Sequence, residues 1–221
     1  WTQLPPNQYK AEIAPLFAFY GMGLQGWDAS YHFAFGENRM GSGWPRLRSY
    51  VTETPHYLGQ FPALAFAIYK GHVEEAPIAA ARRLTPEDLF TGDDPLGMAY
   101  SATGGTGADV KTARGVKTPN EVLAIGRVTV SFDGGRSENA DWDLYWDRGR
   151  KTIRSMTGQL EWDYGRKVVV LSGPKTHAVI GFAGGGRYDL YGASVDIRTP
   201  FVSLLMTPLD DRPLEQSRHI L

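Results

Sequence analysis

The sequence contains no cysteine, which excludes disulfides, thiol nucleophiles and thiolate metal ligands. It has no apolar run of the roughly 18 residues that a membrane-spanning helix needs, so no membrane span is expected. It has no surplus of one charge: 23 Lys and Arg stand against 24 Asp and Glu, a formal net charge of -1. The basic surplus with which nucleic-acid binders neutralise phosphates is therefore missing, and no nucleic-acid partner is expected. Neither the basic nor the apolar stretch of a signal peptide opens the chain. It starts at Trp1 rather than Met, which predicts a processed chain or an internal piece of a longer protein. Reaction signatures are sparse as well. His32, His56, His72, His177 and His219 fall at no metal-ligand spacing, no H-E-x-x-H occurs, and no metal is expected. Asp210-Asp211 reads as a polar turn rather than a calcium site. No G-x-S-x-G marks a nucleophilic serine. The Gly-rich run Thr103 to Gly107 lacks the Lys-Ser/Thr of a phosphate-binding loop and reads as surface loop.

What is present is an ordinary globular balance, 42% hydrophobic and 21% charged over 221 residues, with a length prior of one to two domains. Composition changes near residue 75. Before it, Tyr9, Ile13, Leu16, Phe17 and Tyr20 recur at helical spacing and predict a helix over 9–24, kinked at Pro15. Trp27 to Phe35 alternates large and small residues and predicts a buried strand. Thr54-Pro55 is a helix-start pair, and Phe61, Leu64, Ala65 and Ile68 give the helix that follows an apolar face up to Gly71. Helix, strand, long loop and helix in that order predict α/β structure with a parallel sheet. Residues 76–121 read as a connector with one helical turn at Thr85 to Asp88. From Val122, short strands alternate with turn signals such as Asp133-Gly134-Gly135 and Gly184-Gly185-Gly186, the pattern of an antiparallel β-sandwich over 122–221.

The residues that invite chemistry are carboxylates among aromatics. Glu12 and Asp28 lie close in sequence to Trp1, Tyr9, Trp27 and Tyr31. Sugar sites combine rings, which pack on pyranose CH faces, with acids that serve the glycosidic oxygen. Periodicity alone places the same aromatics in the core. In the second half, Trp142, Trp146 and Trp162 offer an alternative, a non-catalytic carbohydrate-binding or interaction module on the sandwich.

Two stretches sharpen this reading. Trp1 to Glu12 (WTQLPPNQYKAE) and Tyr20 to Asp28 (YGMGLQGWD) resemble the end of the barrel in clan-A glycoside hydrolases, more narrowly the β-galactosidase-like and agarase-like bacterial enzymes. Pro55 to Gly71 resembles their last barrel helix, and Ile153 to Asp163 with Thr176 to Phe182 resembles their C-terminal sandwich. The resemblance implies a C-terminal portion of a TIM (β/α)8 barrel in residues 1–75, followed by a β-sandwich. A whole barrel takes about 250 residues, so this one would be incomplete, and the remainder of the barrel would be a partner. The implied activity is retaining hydrolysis of a β-glycosidic bond in an oligo- or polysaccharide, with both catalytic Glu residues upstream of Trp1 and no cofactor. The implied substrate-side wall consists of Trp1, Asn7, Tyr9, Glu12, His32 and Phe35. His32 departs from the aromatic residue such enzymes often carry, and Glu12 serves equally as a partner for a helix dipole. The loop 36–54, with Glu37, Asn38, Arg39 and Trp44, would overhang the site. Enzymes of this kind are often exported.

Overall fold

The computed structural model describes residues 7–32, 54–90 and 118–221. Trp1, Phe35, the loop positions 36–53 and the Gly-rich run 103–107 lie outside them. The described residues begin with a continuous helical segment that changes pitch along its length. It runs as a 3-10 helix over Asn7–Glu12, as α1 over Ile13–Leu16, and as a wide π-type coil over Phe17–Leu24. Gly26, at φ +69°, turns the chain out of this segment. Two further short helices follow, α2 (Pro55–Leu58) and α3 (Phe61–Tyr69), each opened by a proline in its first turn, where the missing N–H costs nothing.

Strand β1 (Ile78–Arg83) pairs in parallel with β2 (Arg127–Ser131) and antiparallel with β3 (Glu138–Asn139). The larger sheet is antiparallel and six-stranded, in the order β11-β8-β7-β6-β5-β4. Its members are β4 (Trp146–Asp147), β5 (Thr152–Arg154), β6 (Leu160–Asp163), β7 (Val168–Ser172), β8 (His177–Gly181) and β11 (Val202–Met206). Strands β9 (Gly186–Leu190) and β10 (Ala193–Ile197) form a separate hairpin.

The core explains why these elements stack as they do. Strand side chains alternate between faces, and β7 and β8 are apolar on both. Val169, Leu171, Ala178 and Ile180 point to one side and pack with Ile13, Ala18, Phe19 and Leu64 of the helical segments. Val168 and Val179 point to the other side and pack with Tyr188, Leu190 and Ile197 of the hairpin. Every residue of β8 is consequently buried. The protein is a layered structure: helices, a central antiparallel sheet and a covering hairpin.

This corrects the α/β barrel expectation. The described residues contain no portion of a (β/α)8 barrel: the helices are short, and the one parallel pair, β1 with β2, is not followed by further parallel neighbours. Residues 27–32, expected to begin a buried barrel strand, form no strand, and Trp27 and Tyr31 are 43% and 82% exposed. The physical reason is that the apolar helix faces, which a barrel would lay on parallel strands, find an equivalent surface on the antiparallel sheet. The second half follows the sequence pattern closely, with β2 and β5 to β11 each within a few residues of the runs expected there.

Candidate functional site

A cleft of about 580 Å³ opens between the helical segment and the central sheet. One wall is the face of the first helical segment that carries Glu12, Leu16 and Tyr20, spaced four apart and therefore aligned. The floor is the sheet, through Trp162 and Val169, with Tyr164 and Lys167 in the turn between β6 and β7. Trp162 and Tyr164 stand two residues apart on one face, their rings 5.7 Å apart in an edge-on arrangement. The opposite wall is the 3-10 turn Asn120–Ala124.

Gln25 fixes the distance between the two walls. Its Nε2 donates to the carbonyls of Leu123 (2.8 Å) and Gly126 (2.6 Å), and its Oε1 accepts from the N–H of Val128 at 3.0 Å. Just beyond it, Trp27 folds back over Gly21: its N–H donates to the Gly21 carbonyl at 3.0 Å. A Cβ at Gly21 would lie 2.4 Å from the indole, so only glycine lets the ring lie there. Phe17 stands beside Trp27 with ring centroids 6.4 Å apart.

Two polar groups in this apolar cleft are perturbed by burial. Glu12 has its carboxyl pKa raised by desolvation. Tyr20 has its phenol pushed up, first by burial and then by the nearby charge of Glu161. The Tyr20 hydroxyl is buried and has no hydrogen-bond partner among the described residues. Such a group is rare in a folded protein and is satisfied by water or a ligand.

The residues expected on the substrate side separate. Glu12 lines the cleft. Asn7 begins the 3-10 helix. Tyr9 packs between Phe182 and Phe201 at 5.0 and 4.9 Å, pinning the start of the helical segment to the sheet. His32 lies on another face of the helical segment, in a second groove with Ala14, Ala18 and Phe61. Trp1 and Phe35 lie outside the described residues. Asp28 is exposed. Of the tryptophans in the second half, Trp162 joins the cleft, whereas Trp142 donates its indole N–H to the Ala79 carbonyl at 2.9 Å. Trp146 stacks under the Arg148 guanidinium at 4.3 Å.

Sequence reasoning missed Tyr164, Lys167 and the Asn120–Ala124 turn as cleft residues. Nothing in the local sequence indicates that they face the first helix. Among the described residues, no three His, Asp or Glu side chains converge as metal ligands. Asp210 and Asp211 are engaged internally. Asp210 accepts from Ser217 Oγ at 2.7 Å. Asp211 accepts from Lys175 at 2.6 Å and is bonded to His72 at 3.0 Å, contacts that lower its pKa to about 2. No family model, curated protein or solved structure matches the chain.

Proposed function

We propose that this chain binds a saccharide in the cleft between its first helical segment and its central sheet, as the sugar-recognising part of a β-glycoside hydrolase. The observation that carries the reading is the ring-lined cleft itself: Phe17, Tyr20, Trp27, Trp162 and Tyr164 surround one half-buried carboxyl, Glu12. Aromatic faces pack against the CH faces of a pyranose, and a few polar groups set its orientation. Glu12 supplies hydrogen bonds to sugar hydroxyls. The raised pKa of Glu12 suits a proton donor to a glycosidic oxygen. Retaining hydrolysis would need a second carboxyl group about 5–5.5 Å away, and none lines the cleft among the described residues.

The test is a tryptophan-fluorescence titration with neutral β-linked galacto- and agaro-oligosaccharides, run beside turnover of a nitrophenyl β-galactoside. Saturable quenching whose affinity falls roughly tenfold in Trp27→Ala is the expected result. No quenching by any of these sugars at about 10 mM, a concentration that detects even millimolar affinity, sinks the reading. Binding without turnover selects a non-catalytic carbohydrate-binding module. Turnover that is abolished by Glu12→Gln selects the hydrolase.

A further inference from the structure

The second groove, of about 390 Å³, lies on a different face of the first helical segment and is lined by Ala14, Ala18, Leu64, Ala65 and Ile68. At its edge, Ser30 Oγ stands 3.1 Å from His32 Nε2. The other ring nitrogen, Nδ1, is hydrogen-bonded to the Tyr57 hydroxyl. Phe61 and Phe17 meet the imidazole edge-on at 5.2 and 6.5 Å, so the ring is held in orientation by its packing as well as by its hydrogen bonds. A hydroxyl on a base, and the base oriented by a third group, is the arrangement that activates an oxygen nucleophile.

We propose that Ser30 and His32 form a nucleophile–base pair that cleaves esters with an apolar acyl group, which the groove receives. This activity is separate from saccharide binding and does not depend on it. With the ring proton on Nδ1, His32 donates to the Tyr57 oxygen and Nε2 accepts from the Ser30 hydroxyl. Burial lowers the pKa of His32, which keeps the ring neutral and able to accept at neutral pH. Ser30 Oγ bonds to the ester carbonyl carbon as its proton passes to Nε2. The C–O bond to the alcohol then breaks, and the leaving oxygen takes that proton. Water, deprotonated in turn by His32, hydrolyses the acyl-serine to the carboxylic acid and restores Ser30. The acyl preference follows from the walls: among the described residues, no Asp, Glu, Lys or Arg lines the groove. Tyr57 acts through His32 and is a positioning residue.

The experiment treats the full chain with a fluorophosphonate, which transfers its phosphonyl group to an activated serine with loss of fluoride, and locates the label by peptide mass spectrometry. Hydrolysis of nitrophenyl acetate, butyrate and hexanoate is followed in parallel. The expected result is label on Ser30, a preference for the longer acyl groups, loss of the label and of ester hydrolysis in Ser30→Ala, and a fall in ester hydrolysis in His32→Gln by the roughly 10²–10⁴-fold that a general base contributes. Circular dichroism establishes that the variants are folded. Tyr57→Phe removes the acceptor of the Nδ1 proton and should move the acidic limb of the pH–rate profile to lower pH, a shift that a merely structural role would not produce. Absence of label on Ser30, or ester hydrolysis unchanged in Ser30→Ala, overturns the proposal.

Discussion

At the residue scale, the cleft depends on side chains whose neighbours leave them little choice. Trp27 can cover one end only because Gly21 has no Cβ. Gly21→Ala should therefore weaken saccharide binding as much as Trp27→Ala does, by roughly tenfold, the loss of about 1.4 kcal/mol. Fluorescence titration of the two variants side by side checks this. Glu12 gives a pH prediction with a definite sign. Its folded pKa is raised above the unfolded value of 4.5, so its protonated form favours the fold. That contribution is full below pH 4.5 and is lost as pH rises through the raised folded value. Glu12→Gln should raise the melting temperature at pH 7 and leave it unchanged below pH 4.5, as read from thermal melts across that range. Glu12 was legible as a candidate because a carboxylate stood among aromatics in the sequence. Trp162 and Tyr164, which line the same cleft, lie about 150 positions away and no local pattern pairs them with it.

At the element scale, strands were more legible than helix partners. Alternation and turn signals located β5 to β11 because each strand of a two-faced sheet carries its own period. The short strands β3 and β4 carry too few residues to show one. The apolar run from Trp27 failed as a strand predictor because apolarity states a need for burial without naming the partner. Two elements invite measurement. The Asn120–Ala124 turn is tied to the first helix through Gln25, whose three hydrogen bonds satisfy backbone groups on the other wall. Gln25→Ala should cost about 1–3 kcal/mol in urea unfolding. Strand β8 holds His177, fully buried, with its pKa lowered by desolvation, an effect the Tyr191 backbone partly offsets. A lowered folded pKa means that the unfolded chain takes up the proton first. Stability is present above pH 6.5 and falls as pH drops from there toward the folded value. His177→Leu should therefore raise the melting temperature more at pH 5 than at pH 8.

At the scale of the whole molecule, one apolar cluster joins helices and sheet, from Phe19 and Leu64 on one side to Leu171 and Ile180 on the other. Leu171 is fully buried within it. Leu171→Ala should cost about 2–5 kcal/mol, because the cavity left behind adds to the lost transfer energy. Helical and sheet signals should still disappear in one transition, since the helices and the sheet face beneath them bury their apolar side chains against each other. Calorimetry and circular dichroism at two wavelengths test this directly. Separate transitions would mean that the helical segments and the sheet are independent units.

The sequence by itself determined the absence of cysteine chemistry, the balanced charge, the helical segment over residues 9–24 and the train of antiparallel strands in the second half. These follow from composition and short-range periodicity, which each segment carries alone. Tertiary structure decided which surface the helices cover, that Glu12 shares a cleft with Trp162 and Tyr164, and that His32 faces a different groove beside Ser30 and Tyr57. Hydrophobic burial is nondirectional, so an apolar face accepts any complementary sheet, parallel or antiparallel. Only the packing of the whole chain selects among them.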